Sequence, residues 1–307
     1  MFGMIASPHG GTIDTEGTTL KAHTLAAMLL GTLVCATAQA ADGSADDWAD
    51  IIALELAHGQ PMPLLSVYYD QLNRNSAYDI QHALVTHELR KKRVIGGYKA
   101  GFTNAALRTR FHYPDPISGV LFADGAFKDG AVIDAALFKK PMLEVEIGYV
   151  LRSPITRKLH SVADLKTYIR HALPVVEIPD LNYGNVGGLN AYDIIATNVS
   201  ASHYVAGAPF ALKDLAEVNG IKVALYKDEQ VIDTGSASDA LGNQLEALLW
   251  LVNDLYGHGW QLQAGQLLIT GTLGKMNPGA PGSYRADYGL GRTLSFVIQP
   301  PTQAQPK

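Results

Sequence analysis

The chain is 307 residues long, 47% hydrophobic and 17% charged, with a formal net charge of −5, the balance of a globular protein holding one large domain or two small ones. That charge, and the lack of any basic run longer than Arg90-Lys91-Lys92-Arg93, exclude an electrostatic footprint for nucleic acid. A single cysteine, Cys35, excludes a disulfide framework and a thiolate zinc site, and leaves no cysteine nucleophile in the folded part.

Residues 1–40 are expected to be a secretory signal peptide. The apolar run Leu25 to Ala36 follows Lys21 and leads to Ala38-Gln39-Ala40, a small-x-small cleavage pattern, and it is too short to span a bilayer comfortably. Cleavage after Ala40 would start the mature protein at Ala41, periplasmic or secreted and free of the membrane; a leader without function would leave it in the cytoplasm. The first twenty residues are polar and poor in charge, which places the expected start of translation near Leu20.

Residues 41–93 read as a helical segment. Trp48, Ile52 and Leu56 recur every four residues until Gly59-Gln60-Pro61-Met62-Pro63 breaks the run. A second helix is expected to begin at Ser76 as N-cap, with Asp79 three residues on, and to carry Ile80, Ala83, Leu84 and His87 on one side. The basic cluster at 90–93 suits its last turn, where cations meet the helix dipole favourably.

From residue 94 to 300 the pattern turns to short strands. Val94 to Thr103 joins β-formers and closely spaced glycines around Lys99, which is either a snorkelling surface residue or, if enclosed, a lysine of lowered pKa able to move protons. The segment Tyr113 to Gly119 is a turn, and Val120-Leu121-Phe122 resumes as a strand. In Leu143-Glu144-Val145-Glu146-Ile147-Gly148-Tyr149-Val150 the apolar residues alternate, so Glu144 and Glu146 share a face with roots about 7 Å apart. Two carboxylates so placed want a cation, and an all-oxygen set suits a hard divalent ion; an edge strand with one wet face is the other reading. Ser161 with Asp164 is expected to open a helix through Leu173 that Pro174 stops. Val175 to Pro179 is a short strand carrying one acid, Glu177, either an arginine's partner or a third oxygen ligand. Leu181 to Asn190 is a loop without a dinucleotide fingerprint, and Ser200, Ser202 and His203 lack the strained G-x-S-x-G elbow of a hydrolase. A helix from Asn243 buries Leu245, Leu248, Leu249, Val252 and Leu255; strands follow at Leu267 to Gly271 and Leu294 to Ile298, and residues 301–307 form a loose tail.

Gly97-Tyr98-Lys99-Ala100-Gly101-Phe102-Thr103, Glu144-Val145-Glu146-Ile147, Glu177 and Ile269-Thr270-Gly271-Thr272-Leu273-Gly274 occur in this order. With them the chain resembles the 2-keto-4-pentenoate hydratase and 4-oxalocrotonate decarboxylase group of the fumarylacetoacetate hydrolase superfamily, over roughly residues 75–298. The resemblance implies an α+β fold: a fumarylacetoacetase-like mixed β-roll or sandwich of short strands, with helices at the N-terminus and on the outside. It also implies a homo-oligomer and a place in aromatic catabolism. Glu144, Glu146 and Glu177 would bind Mg²⁺ (or Mn²⁺), Lys99 would be the acid/base, and Ser200 and Asp124 would contact a small keto-acid substrate. The activity so implied is addition of water to a 2-hydroxydienoate, giving a 4-hydroxy-2-keto acid. Such hydratases carry an acid where this chain has Ile117, a position that instead resembles the decarboxylases; Asp115 or Asp124 would then have to reach the water. An exported protein that binds keto acids without turnover is the third reading, and Lys99 argues against it, because chelation alone needs no acid/base lysine.

Overall fold

The computed structural model describes residues 43–289 and 291–302; the expected signal peptide and the last five residues of the tail lie outside them. Helix α1 (Ala45–Ala57) opens with a capping box in which Ser44 Oγ accepts from Asp47 N while the Asp47 carboxylate accepts from Ser44 N. Helix α2 (Arg74–Arg90) begins before the expected Ser76: Asn73 is the cap, its side chain accepting from the amides of Asn75 and Ser76, and Ser76 Oγ closes the box from inside the first turn. Trp48 and Ile52 of α1 and Ala77, Tyr78, Ile80 and Leu84 of α2 form a second core with Phe102, Ile117, Tyr183 and Val199, while Leu56 stays exposed. Among the described residues no helix is long and apolar enough to cross a membrane.

Thirteen strands follow among the described residues. In chain order they are β1 (Ile95–Gly101), β2 (Ile117–Phe122), β3 (Ala126–Lys128), β4 (Ala131–Asp134), β5 (Met142–Leu151), β6 (Ile169–Ile178), β7 (His203–Ala206), β8 (Lys222–Lys227), β9 (Gln230–Ser236), β10 (Leu267–Ile269), β11 (Asn277–Pro278), β12 (Gly282–Asp287) and β13 (Thr293–Gln299). The larger sheet runs β2-β1-β10-β5-β6-β7-β3, with β11 added to the end of β5; the smaller runs β4-β13-β12-β8-β9. Short helices α3 (Ala105–Arg110), α4 (Val162–Lys166) and α5 (Ala191–Ala196) interrupt the strands, and α6 (Gln244–Gly257) packs its Leu245, Leu248, Leu251, Val252 and Leu255 into the main core. That core joins Val145, Ile147 and Tyr149 of β5 to Leu225, Tyr284 and Phe296 of the smaller sheet. Mixed short strands with helices at the N-terminus and on the outside match the expected α+β class.

The expected helix from Ser161 to Leu173 is overturned. It lasts one turn as α4, and Ile169 to Leu173 instead extends β6, paired with β5 from Ile169↔Leu151 to Glu177↔Glu144. Pro174 does not end an element because it sits just past the β7 ladder, which begins at Val175↔Ala206. Its carbonyl accepts from Gly207 N at 2.9 Å, so its missing N–H falls where that ladder asks for no donor. Gly207 makes the room, since a Cβ there would meet Pro174 Cγ at 2.8 Å.

Candidate active site

The core face of β5 is apolar and buried, which forces Glu144, Gly148 and Glu146 to the other face. The β5–β6 register sets Glu144 directly opposite Glu177, with Glu146 one step along opposite Val175. One carboxylate oxygen from each of the three acids lies within 4.8 Å of the others. Lys99, two strands away on β1 and paired with Ile269 of β10, reaches the same face. Relative exposure is 2% for Lys99, 7% for Glu144 and 0% for Glu146 and Glu177.

Three carboxylates against one ammonium leave this buried cluster short of positive charge, a state that desolvation penalises heavily. Burial, with Lys99 opposing it and Glu177 adding to it, pushes the Glu144 carboxyl up to about 7. Burial and then the charges of Glu177 and Glu144 drive Glu146 further in the same direction. For Lys99 burial works against the charged form, but attraction to Glu177 and Glu144 wins and its pKa rises. This corrects the expectation of a lysine depressed by enclosure: enclosure alone would lower it, and the surrounding acids reverse the sign.

The hydrogen bonding shows which oxygens remain free. Glu146 Oε2 accepts the Gly271 amide at 2.6 Å, presented by a glycine at φ +98° that a side chain would strain. Glu146 Oε1 and both oxygens of Glu177 are buried with no hydrogen-bond partner. Glu177 Oε1 lies 2.5 Å from Lys99 Nζ and is charge-paired by it, which leaves Glu146 Oε1 and Glu177 Oε2 as the buried oxygens with neither a donor nor a cation beside them. Buried carboxylate oxygens without donors, close together in an all-oxygen set, fit a hard divalent cation.

The neighbouring wall is the 3-10 turn Asn198–Ser200, where three successive non-glycine residues have φ of 55°, 53° and 53°, each unfavourable by about 1–2 kcal/mol. Asn198 holds it, accepting from Val120 N at 2.7 Å and donating to Val120 O at 2.9 Å, in the manner of a strand beside β2. The turn aims the Val199 carbonyl at Lys99 Nζ, which donates to it at 3.1 Å. Ser200 Oγ lies 2.9 Å from the Tyr183 hydroxyl, which lies 2.6 Å from Thr197 Oγ1. Thr197 spends its proton on the Asp193 carbonyl, so Tyr183 must donate to Thr197 and Ser200 to Tyr183. Burial pushes Tyr183 up to about 12 and keeps it neutral; Ser200 is thereby left with lone pairs and acts as an acceptor.

Lys99, Glu144, Ser200 and Tyr183 border one cavity of about 350 Å³, whose walls include Phe102, Leu107, Phe111, Met142, Ile194 and Met276. The structure thus brings Lys99, Glu144, Glu146, Glu177 and Ser200 together. It does not bring Asp124: that carboxylate is clamped by Arg93 at 2.7 and 2.8 Å and its side chain is 59% exposed. Asp115 is also exposed and borders a different depression, with Arg74 and Asp254. Ile117 is buried against Gly101. Ser202 and His203 hydrogen-bond each other at 2.8 Å but do not border the cavity. Tyr183 was not legible as a site residue, a lone tyrosine in a Gly/Asn-rich loop being the available signal; Asn198 lies in the stretch Asn198 to Ser202 that resembles the family's substrate-pocket segment, but its part in holding the turn was not legible.

No family model matches the chain, but individual proteins do. It is 33% identical over 221 residues to a 2-keto-4-pentenoate hydratase of Burkholderia vietnamiensis (strain G4 / LMG 22486), covering 70% of this chain and 82% of that protein. It is 29% identical over 228 residues to 2-keto-4-pentenoate hydratase 2 of Dechloromonas aromatica (strain RCB), covering 74% and 87%. In fold it is similar to the 4-oxalocrotonate decarboxylase of Pseudomonas putida G7 complexed with magnesium and adipate, with a TM-score of 0.77 at 23% identity, over 83% of this chain and 97% of that one.

Proposed function

This chain belongs to the 2-keto-4-pentenoate hydratase family, and from that premise we propose that it is a metal-dependent hydro-lyase that adds water to a 2-hydroxydienoate, giving a 4-hydroxy-2-keto acid. The observation that carries the reading is the buried trio of carboxylates, two of whose oxygens, Glu146 Oε1 and Glu177 Oε2, have neither a donor nor a cation, beside a buried lysine at the closed end of a cavity. Glu144, Glu146 and Glu177 would hold Mg²⁺ or Mn²⁺. An ion there would supply an electrophile for the carboxylate and 2-oxygen of a 2-keto acid and would offset the negative charge that now raises the Lys99 pKa.

Lys99 serves as the proton carrier at Nζ. The proton lost from the 2-hydroxyl is matched by one gained at the terminal carbon of the diene, which yields the conjugated ketone. The hydroxyl of water then joins C4 and its proton ends on C3. Ser200 Oγ, an acceptor by the proton order of its hydrogen-bond chain, orients a donor, either the substrate's enol or the water. The apolar walls exclude bulk solvent and strengthen each of these polar contacts.

A second reading, decarboxylation of a 4-oxalocrotonate-type acid, is favoured by one feature. Among the described residues Glu144 is the single carboxylate bordering the cavity, and the position where the family's hydratases carry an acid holds the buried Ile117, so none of these places a second carboxylate there to deprotonate water. Purified protein with Mg²⁺ is expected to remove the absorbance of 2-hydroxypenta-2,4-dienoate. Carbon dioxide release from 4-oxalocrotonate, with the dienoate untouched, would replace hydration by decarboxylation.

A further inference from the structure

The cavity that ends at Lys99 and Glu144 carries one more charge. Arg110, the last residue of α3, borders it and is exposed, whereas Lys99 and Glu144 are buried; the guanidinium therefore marks the mouth and the acids the closed end. Between them the wall is apolar, built from Phe102, Leu107, Phe111, Val186, Leu189 and Ile194. Among the described residues no carboxylate pairs with Arg110, and its guanidinium carbon lies 5.6 Å from the centroid of the Phe111 ring. Four other arginines have carboxylate partners, Arg74 with Asp254, Arg93 with Glu88 and Asp124, Arg157 with Asp164, and Arg285 with Glu229; what sets Arg110 apart from the remaining unpaired ones is its place on the wall of the cavity that holds Lys99 and Glu144.

We propose that Arg110 is a specificity residue that receives a second carboxylate at the far end of the substrate, so that this enzyme prefers dicarboxylic 2-keto or 2-hydroxydienoic acids to monocarboxylic ones. The proposal rests on the reading that the 2-keto end binds at the glutamate cluster. With that end fixed, the hydrocarbon chain has to run along the apolar wall toward the mouth. A monoacid leaves the guanidinium to water; a diacid places a planar anion where a planar fork of donors waits.

Binding separates this from catalysis. 2-Oxoadipate and 2-oxohexanoate have the same carbon count and differ at the far end, and neither has the double bond that the reaction needs. Calorimetry of the full-length protein with saturating Mg²⁺ is expected to show 2-oxoadipate binding more tightly by roughly fivefold, the scale of one partly solvated ion pair. Arg110→Gln should bring 2-oxoadipate to the affinity of 2-oxohexanoate, Arg110→Lys should retain part of the preference, and added salt should erode it in the wild type. Equal affinity of the two acids for the wild type, or a preference that survives in Arg110→Gln, overturns the proposal. Binding of neither acid by the wild type overturns the site reading beneath it instead, and turnover of a dienoate is not needed for any of these outcomes.

Discussion

Glu146 shows how much one side chain does here. It accepts the Gly271 amide with one oxygen and leaves the other bare beside Glu177, so it ties the β10 loop to the cluster while offering a ligand. Glu146→Gln keeps the shape and removes a charge. Mg²⁺ affinity by calorimetry is expected to fall below detection in it, and in Glu144→Gln, while circular dichroism stays that of the folded protein; unchanged affinity in both would mean the site is elsewhere. Relief of like-charge repulsion should make the metal-free variants as stable as the parent or slightly more so. Lys99→Ala is expected to abolish turnover yet keep Mg²⁺ binding, since the lysine adds no ligand. Glu144 and Glu146 were legible as a pair because alternation in an apolar run puts both on one face, with an edge strand as the other reading, and it was the family resemblance that joined Glu177 to them as a ligand set. Asp124 was misjudged because its partner Arg93 lies 31 positions away in sequence, and no local pattern announces a clamp across that distance.

At the level of elements, the left-handed turn Asn198–Ser200 is held against its own backbone preference by the Asn198 amide on Val120. Asn198→Ala would leave a buried amide and a buried carbonyl of β2 unpaired, at about 1–3 kcal/mol for each group, and would release the carbonyl that holds Lys99. The expected result is a lower Tm together with a kcat reduced by at least about tenfold; a fall in stability with unchanged kcat would assign the turn to structure alone. Gly207→Ala should destabilise by about 1–3 kcal/mol, read by urea unfolding, since its new methyl would press on Pro174. Pro174 also explains the largest misreading of the fold. A proline after Leu173 reads as a helix stop, and only the end of the β7 ladder, a non-local fact, makes it tolerable in β6. Most of the smaller sheet was likewise hidden, since strands such as Gln230–Ser236 are largely solvent-facing and lack the apolar period that exposes a strand in sequence.

For the molecule as a whole, the buried acids link stability to protons. Glu144 is raised from 4.5 to about 7 in the fold, so the folded state holds a proton that the unfolded chain gives up. The stability this contributes is fully present below about pH 4.5 and is lost as pH rises through about 7, with Glu146 acting in the same direction. The Tm in the presence of a chelator is therefore expected to decline from about pH 5 to about pH 8, and saturating Mg²⁺ should offset the decline by an amount that grows with pH. A chelator profile that rises over this range would contradict the arrangement of charges described here.

The face-to-face placement of Glu144 and Glu177 also bears on how the chain finds its fold. The β5–β6 pairing joins two ten-residue strands through a nearby stretch of chain, so it closes a short loop and is suited to form early. Its end, however, sets like charges directly opposite each other. Above neutral pH and without a divalent ion, zipping should stall at Val145↔Val176, and refolding should be slow. Stopped-flow refolding is expected to accelerate on addition of Mg²⁺ at high pH and to be indifferent to it at low pH, which would make the cation a participant in assembly as well as in chemistry.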